Sequence, residues 1–419
     1  MPSRQYFSKL ATPFHEYEKN ASVDLAPLRL KKNEDRRIRA GHVWIFSNEV
    51  DVAATPLDGF EPGQLVDFQD STGKSLGNGY INPHSLICGR LVSRDPDYAL
   101  GKSLVVHRLK VALSLRQRLF AKPFYRLVYS EGDGLPGLIV DRYGETLAVQ
   151  INTAGMERIK DEVVIALQEV IRPVRIVLRN DSAGRALEGL DSYVETVLGE
   201  TVDLVSLEEN GARFEAPILS GQKTGWFYDH RLNRARMQQY VKDKRVLDVF
   251  SYIGGWGVQA ATAGAGEVVC VDSSDNALAQ LQHNAALNHV EARVRTQAGE
   301  AFEVLKGLRA ERERFDVVIL DPPAFIKRKK DFHAGQAAYQ RLNQAAMQLL
   351  AKDGILVSAS CSYHLTRENL RQILLQTSRH VDRNLLIVEQ GHQGPDHPLL
   401  PAVAEIEYLK SFICRVLPN

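Results

Sequence analysis

A cysteine stands at the point where an apolar run gives way to a polar loop. Residues Leu356–Leu365 read LVSASCSYHL, and Cys361 follows the part that is typical of a buried strand. A thiolate at the end of a strand is able to attack a ligand bound there. Most cysteines are inert core residues, and we predict that role for Cys88, Cys270 and Cys414.

Two aspartates and a glycine loop mark a second candidate site. Asp248 ends a strand-like run in RVLDVFSYIGGWG, and Asp272 ends the following run, EVVCVD. Between them, Gly254, Gly255 and Gly257 let a ligand lie against the backbone. This GGxG loop differs from the GxGxxG fingerprint of dinucleotide sites. Asp248 would repel a pyrophosphate but attract a cationic amino-acid group, and Asp272 suits the hydroxyls of a ribose. The pattern favours S-adenosylmethionine (SAM).

The segment FDVVILDPPAF carries a third acid. Asp321 ends the strand-like run, and Pro322 and Pro323 fix an extended, rigid exit. Acceptors held in this way are able to face the exocyclic amine of a nucleobase. Phe325 is able to stack on that base, but a core position is the better prediction for this residue alone.

A thiol beside a methyl donor and a base has a specific use. Attack of a thiolate on C6 of a pyrimidine makes C5 enamine-like, so that C5 is able to accept a methyl group. Loss of the C5 proton then expels the thiolate, which is covalent catalysis. Free cysteine has a pKa of about 8.5, so Cys361 needs a neighbouring positive charge or base. His364 and Arg367 are close in sequence, although surface roles for both are equally open.

The spacing of apolar residues predicts an α/β protein of several parts. Short apolar runs alternate with helical segments over residues 206–419, which predicts a doubly wound, mostly parallel, Rossmann-like sheet with ligands at the carboxyl ends of its strands. Residues 97–205 mix both periods and predict a central α+β domain. Residues 25–96 alternate apolar runs with glycine turns, as a small β-barrel requires. Residues 1–24 are a patternless extension.

Composition indicates an ordinary globular protein. The chain has 419 residues, of which 44% are hydrophobic and 25% are charged. No apolar run approaches the length of a membrane span, and the first residues carry no secretory signal. We therefore expect a cytoplasmic chain with no membrane partner. The cysteines lack metal-binding spacing, so no metal is expected.

Basic residues gather in three runs although the net charge is only +1. The runs are Arg29–Arg39, Gly101–Arg126 and Lys327–Lys330. Each run alone is more typical of a solvated face, but three together make nucleic-acid binding plausible. We assign RNA docking to the amino-terminal barrel and to the Gly101–Arg126 run.

The ordered motifs QKTGWFYDHR, VLDVFSYIGGWGV, VVCVDSS, DPPAF and SCSYHLT resemble those of the RlmI-type bacterial 23S rRNA cytosine-5 methyltransferases. LKKNEDRRIRAGHVWIFSNEV resembles the PUA domain of that family, and SEGDGLPGLIVDRYG its middle domain, so the resemblance spans about residues 28–419. It implies a class I SAM-dependent enzyme that methylates C5 of a cytosine in 23S rRNA, with Cys361 as the nucleophile and Asp321 orienting the cytosine beside the donor.

The resemblance also implies which residues bind SAM. Residues expected at the methionine end are Asp248, Ser251, Tyr252 and Gly254. Asp272 and Ser273 are expected to bind the ribose of SAM. Three residues of the first motif are implied only to lie near the donor: Lys223, Thr224 and Asp229.

Two positions depart from the family pattern. Gly299-Glu300 stands where relatives carry paired acids, so Glu300 alone is expected to hold the adenine amine. Pro323 takes the place of a second cysteine that many RNA cytosine-5 methyltransferases carry, so another base must release the product.

Three alternatives stay open. A guanine-N7 rRNA methyltransferase shares the motifs but needs no thiol, and an amine-directed methyltransferase would use the DPP-Phe segment without Cys361. A ribosome-associated RNA-binding protein would carry an inactive methyltransferase fold, which the intact Asp248, Asp272 and Asp321 argue against. A homodimer is compatible with the sequence.

Overall fold

The computed structural model of the protein describes residues 25–95 and 97–419, so the predicted extension over residues 1–24 lies outside the described residues. The strands are β1 Ala26–Arg29, β2 Trp44–Ile45, β3 Gln64–Gln69, β4 Ser75–Ile81, β5 Gly89–Ser93, β6 Phe124–Tyr129, β7 Leu138–Tyr143, β8 Thr146–Ile151, β9 Arg175–Asn180, β10 Tyr193–Leu198, β11 Leu204–Glu209, β12 Ala212–Pro217, β13 Arg245–Val249, β14 Glu267–Asp272, β15 Val294–Ala298, β16 Phe315–Leu320, β17 Leu350–Ser360, β18 Arg383–His392 and β19 Lys410–Pro418.

The helices are α1 Asp35–Arg39, α2 Lys102–Leu119, α3 Ala154–Arg158, α4 Lys160–Ile171, α5 Arg231–Met237, α6 Gly257–Thr262, α7 Asp275–Leu287, α8 Ala301–Ala310, α9 Phe332–Leu349 and α10 Arg367–His380. Among the residues described, none of these helices combines the length and the apolar character needed to cross a lipid bilayer.

The amino-terminal part is built on a five-stranded sheet in the order β1-β3-β4-β5-β2. β1 runs parallel to β3, and the other pairs are antiparallel. The inward-facing side chains of Leu28, Val66, Phe68 and Ile81 are fully buried and form one core. Cys88 is buried in the same core, as predicted. The alternation of apolar residues therefore produces the small β domain that the sequence predicts.

The central part is a second five-stranded sheet, in the order β10-β9-β8-β7-β6. Helices α2 and α4 cover one face, where residues such as Leu109, Val163 and Leu178 form a core. The opposite face contributes Tyr143 and Ala148 to the core of the following domain. The predicted α+β arrangement is confirmed.

The hairpin β11–β12 belongs with the last domain. Its apolar residues Val205, Leu207 and Phe214 pack in the same core as Trp226 and Val246. Because β11 begins at Leu204, the predicted boundary between residues 205 and 206 falls inside this strand.

The last domain is a seven-stranded sheet in the order β15-β14-β13-β16-β17-β19-β18. All neighbouring pairs are parallel except those of β19, which runs antiparallel to both β17 and β18. Helices α6 and α7 pack on one face, and α8, α9 and α10 on the other. The strand order reverses between β13 and β16, which is where ligands bind in open α/β sheets. The predicted doubly wound, mostly parallel sheet is confirmed.

Two arginines of the predicted basic run Gly101–Arg126 are engaged in internal ion pairs, so they add no free charge to that face. Arg116 is fully buried, pairs with Asp133 at 2.5 Å and donates to the backbone carbonyl of Asp396 at 2.7 Å. Arg126 pairs with the fully buried Asp141 at 2.7 Å. Arg116 thus joins the central domain to the last one through Asp396, whereas the Arg126–Asp141 pair lies within the central sheet.

The first basic run is also partly neutralised. Arg37 pairs with Glu49 at 2.7 Å, and Arg39 pairs with Asp35 at 2.5 Å and with Asp70 at 2.7 Å. These contacts hold α1 against its own sheet, and they reduce the positive potential that the barrel offers to a phosphate.

Candidate active site

The four residues that sequence reasoning places at strand ends lie on one edge of the sheet. Asp272 ends β14, Asp248 lies at the end of β13, Asp321 follows β16, and Cys361 follows β17. These strands are consecutive in the sheet and parallel, so their carboxyl ends meet at the same edge. The prediction that the three acids and the thiol share one edge is confirmed.

Asp248 is a fully buried carboxylate with one oxygen unused. Its Oδ2 accepts a hydrogen bond from the Gly257 amide at 2.8 Å, whereas Oδ1 has no partner in the described structure. Burial raises the pKa of Asp248 to about 8, and the negative charges of Asp321 and Asp272 add to the effect. A Cβ atom at Gly257 would lie 2.3 Å from Cys270 Sγ and 3.0 Å from Asp248 Oδ2, so only glycine fits here. The unpartnered Oδ1 leaves one oxygen of Asp248 available to a bound ligand.

The loop after β13 has an unusual backbone. Phe250 and Tyr252 both adopt positive φ, at 68° and 47°, and Gly254 follows at 91°. Left-handed conformations in non-glycine residues are concentrated at functional sites. Ser251 lies between the first two, buried, with an Oγ that has no protein partner. The Tyr252 hydroxyl accepts from the Gln222 amide at 3.1 Å and thereby ties this loop to the segment before α5.

Asp272 is oriented by backbone amides from both sides. Oδ2 accepts from the Tyr252 amide at 2.9 Å, and Oδ1 accepts from the Ser274 amide at 3.0 Å. Ser273 is exposed beside it. Glu300 is exposed at the start of α8, where its Oε2 accepts from the Phe302 amide at 2.9 Å and caps the helix. A fixed carboxylate at the end of β14 suits the vicinal hydroxyls of a ribose.

Asp321 is held by two side-chain donors that sequence reasoning did not single out. Trp256 Nε1 donates to Oδ2 at 3.0 Å, and His230 Nε2 lies 3.1 Å from Oδ1. Burial opposes ionisation of Asp321, but the charge and hydrogen bonds of these partners outweigh it and hold its pKa below the ordinary value. Asp321 is thus a carboxylate with a fixed orientation at neutral pH.

Asp229 also lies in this cluster. The Tyr408 hydroxyl donates to its Oδ2 at 2.5 Å, and its buried Oδ1 has no partner in the described structure. Burial raises the pKa of Asp229, but the charges of His230, Lys223 and His397 more than compensate and hold the pKa well below the usual range. Asp229 is therefore a second anionic group that faces the strand ends.

The Thr224 side chain makes its contacts with the central domain. It is fully buried, and its hydroxyl donates to Asp141 Oδ2 at 2.5 Å. Its carbonyl accepts from the Tyr143 hydroxyl at 3.0 Å. Both contacts are with the central domain, so this residue fixes the segment that carries Lys223 and Asp229 rather than offering its hydroxyl to the donor.

Cys361 is half-buried at the end of β17, with Sγ 3.9 Å from the Pro322 carbonyl oxygen. Burial, together with the charges of Asp321 and Asp229, raises the pKa of the thiol to about 11, and the charge of Lys223 opposes that rise. The contact with Pro322 places the thiol beside the loop that carries Asp321.

A second lysine close to the thiol was missed. Lys410 is buried at the start of β19, where Nζ donates to the carbonyls of Ser362 at 2.6 Å and Tyr408 at 2.8 Å. Burial lowers the pKa of Lys410 to about 8, and the neighbouring Cys361 opposes that shift. Antiparallel pairing of β19 with β17 places Lys410 opposite Ser360, the residue before Cys361. No local sequence pattern predicts this position of the lysine.

The two residues that the sequence offers as activators of the thiol have other contacts. The His364 ring packs against Tyr363 with ring centroids 5.2 Å apart, and the Arg367 guanidinium lies 5.7 Å from the centre of the Phe412 ring. Phe325 packs against Tyr339 at 4.8 Å in the core, as predicted for it alone. Signals for His230 and Trp256 did exist, because both belong to the motifs that surround the predicted site.

The chemistry of the site fits SAM. Three buried oxygen atoms without protein partners, from Asp248, Ser251 and Asp229, lie on the segments that border the strand ends. Two of them belong to carboxylates, which match the ammonium and sulfonium charges of SAM, and the Asp272 carboxylate is placed for its ribose. These oxygens are hydrogen-bond acceptors, so they suit a cationic ligand better than the pyrophosphate of a dinucleotide.

This fold and this donor site define a SAM-dependent methyltransferase. The family described as S-adenosylmethionine-dependent methyltransferase matches residues 182–415, and the PUA-like domain family matches residues 28–94. Proteins named Ribosomal RNA large subunit methyltransferase I are 36% identical in Tolumonas auensis and in Aliivibrio fischeri and 34% identical in Escherichia coli; the match covers 93% of this chain and 98%, 98% and 99% of theirs. The chain belongs to this family of large-subunit rRNA methyltransferases, and its methyl donor is SAM.

Solved structures agree on the fold. The crystal structure of SMU.776 complexed with SAH aligns with a TM-score of 0.80 at 20% identity, over 93% of this chain and all of that one. A second structure, from Streptococcus mutans, aligns with a TM-score of 0.79 at 19% identity, over 93% of this chain and all of that one. All three parts of the chain, and not only the SAM-binding domain, therefore occur together in another protein.

Proposed function

We propose that this protein methylates C5 of a cytosine in the RNA of the large ribosomal subunit, with Cys361 as the covalent nucleophile. The observation that carries the proposal is the position of Cys361 at the end of β17, in one charged cluster with Asp321, Asp229 and Lys223. The names of the curated relatives support rRNA as the substrate. Such a substrate places the enzyme in the cytoplasm.

SAM would bind at the carboxyl ends of β13 and β14. The Asp248 carboxylate and the Ser251 hydroxyl would hold the amino-acid part of SAM, and Asp272 would hold its ribose. SAM supplies an electrophilic methyl group on a sulfonium centre. Buried Asp248 must lose its proton before it pairs with the cationic group, because its pKa is raised to about 8.

Asp321 would bind the cytosine base. Its carboxylate accepts from Trp256 and lies against His230, and each oxygen keeps a further lone pair. An N4 amino group of cytosine donates to such an acceptor. The N1–H and N2 amino groups of guanine also donate to a carboxylate, so the preference for cytosine is supported by the Cys361 thiol, which methylation of guanine N7 would not need.

The covalent step follows from the thiol. Cys361 gives its proton to water or to a neighbouring base, and Sγ forms a bond to C6 while the C5–C6 π electrons shift so that C5 becomes nucleophilic. C5 takes the methyl group as the donor's carbon–sulfur bond breaks. The C5 proton then leaves to a basic group or to water, and its electrons restore the C5–C6 double bond as the C6–S bond breaks. Lys223 and Lys410 stabilise the thiolate at the start and at the end of this sequence.

Product analysis tests the proposal. Purified protein, SAM labelled in the methyl group and large-subunit rRNA from cells that lack the protein should yield 5-methylcytidine. Labelled 7-methylguanosine, or labelled product from Cys361→Ala at the wild-type rate, would overturn it. RNA with 5-fluorocytidine at the target should trap a covalent complex, because fluorine does not leave as the proton does. Cys361→Ala should form no complex.

A further inference from the structure

The basic run Lys327–Lys330 lies in the loop between β16 and α9, directly after the Asp321-Pro322-Pro323 exit. All four side chains are exposed. Arg328 pairs with Asp331 at 3.0 Å, whereas no ion pair within residues 25–95 and 97–419 engages Lys327, Lys329 or Lys330. Three of the four positive charges in this run are therefore unpaired within the described part of the chain, whereas several arginines of the other two basic runs form internal ion pairs.

The base of this loop is fixed beside the nucleophile. The amide of buried Ile326 donates to Ser362 Oγ at 3.2 Å, and Ser362 is the residue that follows Cys361. A Cβ atom at Gly335 of α9 would lie 2.3 Å from Ile326 Cγ1, which shows how closely the helix presses on the loop. The hydrogen bond between Ile326 and Ser362 is thus the anchor of the loop. Lys327 is the next residue after Ile326, and Cys361 is the residue before Ser362.

An exposed aromatic ring stands on the other side of the same anchor. Tyr363 follows Ser362, is 41% exposed and meets the His364 ring edge-on with centroids 5.2 Å apart. Hydrophobic side chains of this size are usually buried, and an exposed one at the mouth of a site is a candidate for stacking. Free lysines and an exposed ring thus flank the nucleophile on neighbouring segments.

We infer that Lys327, Lys329, Lys330 and Tyr363 form a docking strip for single-stranded RNA that flanks the target nucleotide. The inference rests on the proposed function. A base that reaches a thiol at the end of a strand must be outside a duplex. Proteins bind such strands by combining positive charge along the phosphates with aromatic faces under the bases. The docking strip offers both next to Cys361, where the predicted Gly101–Arg126 face does not.

The charged half of the strip is tested by a triple variant, K327A/K329A/K330A. Its control is K242A/K244A/K352A, which removes three exposed lysines at the amino-terminal edge of the same sheet. Binding of a fluorescent single-stranded rRNA fragment is measured by anisotropy over a range of salt concentrations. The strip variant should bind about tenfold more weakly, and the slope of log K against log salt should decrease by about 2, at about 0.7 per phosphate contact. Equal slopes in the two triple variants would overturn the inference.

The aromatic half is tested by Y363A and Y363F. Y363A should raise the Kd for the same fragment about tenfold, since stacking of one base contributes roughly 1–3 kcal/mol, while Y363F should bind like the wild type. Equal affinities for all three proteins would remove Tyr363 from the strip.

The result separates the inference from the proposed function. Both sets of variants should keep wild-type SAM affinity. The strip variants should keep the wild-type kcat, measured at saturating RNA, and should raise the KM for RNA. An enzyme that makes 5-methylcytidine but binds RNA equally well without the strip would refute the inference alone. Weaker RNA binding by the strip variants of an enzyme that modifies guanine would refute only the proposed function.

Discussion

His230 and Asp321 meet with Nε2 and Oδ1 3.1 Å apart, so the segment before α5 touches the loop after β16. Asn233 Nδ2 lies 3.1 Å from His230 Nδ1, so each ring nitrogen has a side-chain partner and the imidazole is held in one orientation. With Trp256 on the other oxygen, the carboxylate has a fixed plane. The orientation of the Asp321 carboxylate, which we propose binds the target base, therefore depends on residues from three separate segments.

Loss of either donor should weaken the chemical step. A hydrogen bond to a charged group contributes about 1.5–3 kcal/mol, so Trp256→Phe and His230→Ala should each reduce kcat by about tenfold to a hundredfold. SAM affinity should change by less than about threefold, because neither residue belongs to the Asp248 and Asp272 contacts. Single-turnover methylation and calorimetric titration with SAM measure the two quantities. A kcat within twofold of wild type in both variants would contradict the assigned role of Asp321.

The nucleophile itself gives the strongest test. Cys361→Ser should reduce turnover by about 10³-fold or more, while SAM affinity stays within about tenfold, roughly 1.4 kcal/mol. The measurement is methyl transfer to rRNA alongside calorimetry. Cys414→Ser, at a buried cysteine on β19, is the matched control for the same chemical change. Wild-type rates in Cys361→Ser would exclude the covalent route.

Lysines near the thiol should control its ionisation. Burial raises the pKa of Cys361 to about 11 in the free protein, and Lys223 opposes that rise. Alkylation by iodoacetamide should therefore be slow at pH 7 and accelerate as the pH approaches 11. In Lys223→Met and Lys410→Met the midpoint should move to higher pH. Cys88, Cys270 and Cys414 are buried, so mass spectrometry should find the label on Cys361. A profile that neither substitution moves would leave the thiolate without its proposed stabilisation.

Asp248 should make the donor-free protein less stable as the pH rises. Its pKa is raised from 3.8 to about 8, so between these values the folded state holds a proton that the unfolded state has released. Stability from this group is therefore lost as pH rises through that window. Asp248→Asn does not titrate, and its Tm relative to wild type should increase by about 5 °C between pH 5 and pH 8.5.

The same substitution should weaken SAM binding by about tenfold to a hundredfold, since a charge-assisted hydrogen bond is lost. Asp243→Asn, at an exposed position at the amino-terminal edge of the sheet, is the control and should change neither quantity. Scanning calorimetry at several pH values and titration with SAM provide the measurements. A Tm difference that is constant with pH would show that Asp248 is ionised in the free protein.

The Arg126–Asp141 pair, whose side chains are 12% and 0% exposed, should contribute strongly to the free energy of unfolding. Removing one partner leaves a buried charge unpaired, which costs about 3–5 kcal/mol, and Asp141 also accepts from Thr224. Asp141→Leu should reduce the free energy of unfolding by about that amount. Lys122→Ala, which breaks an exposed pair with Glu208, should cost less than about 1 kcal/mol. Similar losses in both variants, measured by urea denaturation, would argue against a structural role for the buried pair.

The sequence predicts the sheet and its edge well, since both follow from local patterns. Apolar runs such as RVLDVF and FDVVIL form the strands that they indicate, and the acids that follow them meet because parallel strands align their carboxyl ends. Lys410 could not be predicted in the same way, since it reaches the thiol only through the antiparallel pairing of β19 with β17. The ion pairs of Arg116 and Arg126 could not be predicted for a similar reason, since their partners Asp133 and Asp141 follow 17 and 15 residues later on other elements.

The position of β19 between β17 and β18 has a consequence for synthesis. This strand is translated after every other strand that is described, yet it fills an inner place in the sheet and carries Lys410 next to the nucleophile. A nascent chain that stops before residue 410 exposes the unpaired edges of β17 and β18 and lacks Lys410, which we propose stabilises the thiolate. Truncated chains should therefore be both inactive and prone to aggregate.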